Sequence, residues 1–106
     1  MITVLHNKKF IEAQVAGGLH NSQILVTFVG NQPMSDFEIV ANTKTDDLEI
    51  AFMLTNSIDQ HWSLNCEVKT IKPQARSTSV GDVLEHNSKM FVVAATGFVE
   101  LQKRPQ

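Results

Sequence analysis

Residues 23–29, QILVTFV, are largely apolar, with Ile24, Val26 and Phe28 on one side of an extended chain and Leu25, Thr27 and Val29 on the other. That pattern predicts a strand buried on both faces, central in a sheet. The turn residues Gly30-Asn31-Gln32-Pro33 end it. Shorter apolar segments at 2–5, 37–41, 80–85, 90–95 and 98–101 predict further strands, and 66–71 alternates well enough to add another ahead of Pro73. The first of these stops at the polar run His6-Asn7-Lys8. The quartet His86-Asn87-Ser88-Lys89 reverses the chain between two strands, and Gly97 re-aims it before the last. Gly81 permits a positive φ just before Val83, where Asp82 can accept bonds from nearby backbone donors.

A period of 3.6 replaces this pattern only in the middle of the chain. Over residues 46–56, Leu48, Ala51, Phe52 and Thr55 follow the i, i+3, i+4, i+7 rule, and Ile50, Met53 and Leu54 widen the stripe. Thr45 or Asp46 is the expected cap, the acidic residues 46, 47 and 49 suit the positive end of the helix dipole, and Asn56 is the expected left-handed stop. Residues 9–16 stay open: Phe10, Ala13 and Gln14 share a helical face ahead of Gly17-Gly18, yet an extended reading fits nearly as well. The element order predicts one α+β domain over residues 1–106. Its antiparallel or mixed sheet of about five or six strands is covered on one face by a single central helix.

Composition narrows the classes of function. With 42% apolar and 19% charged residues the chain is globular rather than disordered. Nine basic and eleven acidic side chains leave a net charge of -2, which removes any global electrostatic case for nucleic acid or an anionic membrane. Tyrosine is absent, which argues further against a single-strand nucleic-acid surface. The lone Cys66 excludes a disulfide within the chain and fits a reducing cytoplasm. There is no basic segment followed by an apolar stretch at the start, and no apolar run approaches the length of a membrane span.

Few residues offer chemistry. Asp59, His61 and Cys66 are close in sequence, but no second pair at ligand spacing supports a metal, so none is expected. Cys66 as a nucleophile needs a base beside it, and its alternating surroundings favour a small buried thiol. His6, His20 and His86 fall at expected turns and read as solvated polar residues. Lys69, Lys72 and Arg76 with Ser77, Thr78 and Ser79 make a basic, hydroxyl-rich segment able to hold a phosphate or carboxylate, although backbone satisfaction alone explains such residues and favours a solvated connector with a hydroxyl-capped turn. No phosphate-binding or dinucleotide motif is present, and no cofactor is implied. Trp62, among polar neighbours, is either a binding anchor or a lid over the helix end.

The strand at 37–41, the helix at 46–56 running into Thr55-Asn56-Ser57-Ile58-Asp59 and Trp62, then Arg76-Ser77-Thr78-Ser79-Val80-Gly81-Asp82-Val83, an apolar strand and Gly97-Phe98 resemble the YodL-like family. Its members are small domains of bacteria, phages and conjugative elements. The resemblance spans residues 37–101 and is nearest to a phage-type subset. The family commonly has serine where Gly81 stands, and serine or aspartate just before the Gly-Phe pair, where this chain has Ala94-Ala95-Thr96. The stretch between helix and motif is longer than in the commoner bacterial form. No established catalytic residues come with the family.

The resemblance implies a non-catalytic module, phage- or mobile-element-encoded, that binds a bacterial host protein in the cytoplasm. Trp62, Asn65, Arg76, Ser77 and Thr78 are its expected surface contacts. Self-association is compatible with this reading. The rival is a small enzyme or nucleotide- or phosphate-binding protein using residues 69–79 with His61. A concave pocket joining His61, Arg76 and Asp82 would favour the rival, and a flat apolar patch around Trp62 would favour the binding module.

Overall fold

The apolar segment at 2–5 becomes strand β1, Ile2–Asn7, in a computed structural model that describes residues 1–17, 22–56, 68–72, 74–95 and 97–102. Five more strands join it: β2 (Phe37–Thr43), β3 (Val68–Thr70), β4 (Val83–His86), β5 (Lys89–Ala94) and β6 (Gly97–Glu100). They form one sheet in the order β3-β2-β1-β4-β5-β6 with every neighbouring pair antiparallel. The α+β architecture with about six strands is therefore the observed one.

Local chemistry sets the geometry at two places. His86 pairs with Lys89, and the intervening Asn87 and Ser88 both have positive φ, 52° and 66°. That two-residue loop twists in the same sense as its flanking strands and pins the β4-β5 register. In the β1-β2 ladder Val4 faces Ala41 while Leu5 faces Ile39, so Val40 is an extra residue. The bulge lets Val40 and Ala41 both enter the same core.

The helices depart from expectation. Residues 23–29 are not a strand: they lie in helix α2, Ser22–Gly30. As a helix the run sends Leu25 and Val29, one turn apart, to full burial and leaves Ile24 about half exposed. A largely apolar segment rich in β-branched residues has the local preference of a strand, and tertiary burial overrides it here. The open segment 9–16 is also helical, α1 (Phe10–Gly17), and packs beside α2.

A third helix, α3 (Leu48–Leu54), is the one expected, so the single central helix is corrected to three α-helices among the described residues. Its cap is Asp47, whose side chain accepts from the backbone of Glu49 and Ile50 at 2.9 and 3.1 Å, rather than Thr45 or Asp46. The stop is Thr55 at φ -107° and not a left-handed Asn56.

Both faces of the sheet are covered, not one. On one side Leu5, Val83, Met90 and Val92 meet Ala13 of α1 and Leu25 and Val29 of α2. On the other, Ile2, Val4, Leu84 and Val93 meet Ala51 and the flanking Leu48 and Phe52 of α3. Each fully buried Leu or Val side chain contributes about 1.5–3 kcal/mol. Phe52 is only partly buried and sits edge-on to Phe98, with ring centroids 6.2 Å apart. Among the described residues no helix is long and apolar enough to cross a membrane.

Candidate functional site

The basic hydroxyl segment leads into β4, and its far end is fixed by Asp82, which is wholly buried. Arg76 donates to both carboxylate oxygens at 2.7 Å, and the backbone N–H groups of Asn7 and Ser79 add a bond each at 2.8 Å. Four donors thus satisfy the two oxygens of a charge that burial would otherwise destabilise strongly. The same guanidinium donates to the carbonyls of Asn7 and Ser77 and to Ser79 Oγ, and lies 4.3 Å from the centroid of the Phe10 ring. Gly81, at φ +95°, lets the turn close, and a Cβ there would collide with that of Ala13 in α1.

A second set of polar groups ties β1 to the same turn. The Asn7 amide donates to Gln32 Oε1 at 2.7 Å and to the Gly81 carbonyl, while its oxygen accepts from Gln32 Nε2 and from the Lys9 N–H. Gln32 also donates to Asp36. These bonds hold the end of β1, the start of α1 and the turn after α2 as one unit.

His6 is buried, which corrects its reading as a solvated turn residue. Its Nε2 lies 3.0 Å from Thr78 Oγ1 and 3.8 Å from Asp82 Oδ2. Burial holds the imidazole below its ordinary pKa; Asp82 and Glu38 pull it back up and Arg76 pushes it further down. The hydroxyl chain fixes where its proton sits. Thr55 Oγ1 is 2.9 Å from the Ala51 carbonyl, which can only accept, so Thr55 donates there. Thr78 must then donate to Thr55 Oγ1 at 2.8 Å, and the only proton left for the His6-Thr78 contact is on Nε2.

This order of donors decides the chemistry. A histidine and a threonine at 3.0 Å have the spacing of a base and nucleophile. Here Thr78 is fully buried, its proton belongs to Thr55, and His6 donates where a base would accept. The pair is built to hold structure.

Beside it opens a cleft of about 320 Å³ lined by His6, Asn7, Lys8, Phe10, Glu38, Ala75 and Arg76. The cleft joins Arg76 to His6; His61 lies outside the described residues, as do Trp62 and Asn65. Lys69 and Lys72 do not line it. Of the expected contacts, Arg76 is committed to Asp82, Ser77 is half-buried and Thr78 has no exposed surface, so Thr78 is not a surface contact. Among the described residues no group of His, Cys, Asp or Glu could hold a metal, and Asp59, His61 and Cys66 lie outside them. No family model, curated protein or solved structure matches this chain.

Proposed function

We propose that the chain is a non-catalytic protein-binding module whose contact face is the outer side of α1 and α2. The observation that carries this reading is the pair Ile11 and Val15, 61% and 73% exposed and one turn apart on the side of α1 opposite the buried Ala13. Glu12 and Gln14 of α1 are exposed as well, yet two large apolar side chains side by side on a solvent-facing helix mark a contact patch. Ile24 of α2 is also exposed and, with Phe28, lines a shallow depression. Glu12 is the only ionisable side chain in the two helices, so the face is nearly uncharged.

The bonds already made by Arg76, Thr78, Ser79 and Asp82 support the same conclusion from the other direction, since they commit most of the turn's polar groups within the fold. Trp62 and Asn65 stay in the proposed contact set, and Arg76 and Thr78 leave it for the reasons of burial and pairing given above. The YodL-like resemblance supports a bacterial host protein as the partner and the cytoplasm as the place of action. A second reading, a small-ligand site, rests on the cleft beside His6, whose wall carries Lys8 and Glu38.

A photo-crosslinking residue placed at Val15, with a control at the exposed Lys89 hairpin, separates the two readings in a bacterial lysate. A discrete adduct at 15 that is absent at 89 and lost with Ile11→Lys is the expected result. Equal labelling at both positions, or none at 15, would count against the helical face.

A further inference from the structure

We propose that two copies of this chain join through the outer edge of β6 and continue the sheet across a twofold axis. β6 ends the strand order, so among the described residues it has a neighbour on one side only. The bonds of β5 show which of its backbone groups face outward. Val93 donates its N–H to the Asp82 carbonyl and accepts from the Gly81 N–H, both at 2.9 Å, so its hydrogen bonding is directed to the β4 side. Phe98, its register partner in β6, is thereby turned away from β5, and antiparallel alternation turns Glu100 away as well. Leu101 keeps the alternation by donating inward to the Met90 carbonyl at 2.8 Å. The outer edge thus offers an N–H and a C=O from each of Phe98 and Glu100.

The spacing of these groups is self-complementary. When a second β6 approaches antiparallel with Val99 opposite Val99, Phe98 of each copy faces Glu100 of the other, and every outward N–H meets an outward C=O. The two Val99 side chains then form the pair without hydrogen bonds, in which side chains approach most closely, on the side of the sheet that carries α1 and α2. Centring the contact on Glu100 would oppose two carboxylates, and centring it on Phe98 would leave Glu100 beyond the end of the facing strand.

The opposite edge of the sheet is guarded. Exposed Lys69 lies in β3 and exposed Lys72 just beyond it, side chains that discourage strand addition. β6 has neither lysine nor proline, and its one charge, Glu100, meets Phe98 in the register above. Such a contact uses the same patch on both copies and closes at two. The axis stands across the sheet, so α1 and α2 of both copies lie on one side; the pairing itself does not depend on the partner reading given to those helices.

Sedimentation equilibrium of the full chain tests the proposal. The mass should rise with concentration from 11.8 kDa toward twice that value. Glu100→Pro removes an outward N–H and no bond to β5, so this variant should keep the circular dichroism of the wild type and stay at the lower mass. Ile11→Lys, on α1, should associate as the wild type does. A monomer at every concentration overturns the proposal and leaves the edge to an extended segment of a different protein. A dimer that persists in folded Glu100→Pro, or that Ile11→Lys abolishes, overturns it in favour of another surface. If the proline variant does not fold, cysteine at the centre of the pair keeps the test open. Oxidised glutathione should link two copies of Val99→Cys through position 99, distinguished by peptide mass from any bridge to Cys66. It should not link Glu100→Cys through position 100, where the register sets the Cα atoms farther apart than the roughly 7 Å a disulfide spans. Equal bridging at 99 and 100, or none at 99, also overturns it.

Discussion

Asp82 is the residue on which the others depend, and Gly81 beside it shows how little freedom its turn has. Two glycines with positive φ give a controlled comparison. At Gly81 a methyl group meets both an unfavourable backbone and the Cβ of Ala13, whereas at Gly97, φ +121°, it meets open space. Both Gly→Ala substitutions should destabilise through backbone strain, by about 1–2 kcal/mol. Gly81→Ala should cost at least about 1 kcal/mol more than Gly97→Ala, because overpacking adds to the strain. Equal effects in chemical denaturation would mean that α1 does not sit on the turn.

Residue roles were partly legible. The sequence marks Arg76, Thr78 and Asp82 as a polar group set on a turn, and the positive φ at Gly81 follows from local chemistry. What it hides is that their partners are remote. Asn7 and Asp82 are 75 positions apart, and His6 and Thr78 are 72 apart. A histidine after a strand reads as solvated until the fold brings a hydroxyl chain over it.

Elements divide along the same line. The β4-β5 hairpin, β1, β2, β6 and α3 are set by nearby signals such as apolar runs, the polar quartet 86–89 and the 3.6 period of α3, and these were readable, although the cap of α3 falls on Asp47, one residue beyond the expected Thr45 or Asp46. The segment 23–29 was not, because strand and helix both bury its apolar residues and only the sheet beneath decides between them. Alanine substitution tests the helical solution. Leu25→Ala should cost about 2–5 kcal/mol, while Thr27→Ala and Ile24→Ala, both on the outward side, should stay within about 0.5–1 kcal/mol. Comparable losses at 25 and 27, which would share a face of a strand, would contradict the helix.

At the scale of the whole molecule, a six-stranded antiparallel sheet carries α1 and α2 on one face and α3 on the other. The Arg76–Asp82 pair joins the end of β1, the start of α1 and the approach to β4. The functional reading gives this motif the work of architecture and leaves contact with a partner to the exposed helical face. Removing either member would leave the other charge poorly compensated, and the loss should be large for the buried Asp82, about 3–5 kcal/mol. The most direct test is a double-mutant cycle in urea unfolding with Arg76→Ala, Asp82→Ala and the combined variant. The structural role predicts strong destabilisation by each single change and a coupling of about 1.5–3 kcal/mol between them. Near-neutral, additive effects would show that the pair does not hold the fold and would return Arg76 to the list of groups available for a ligand.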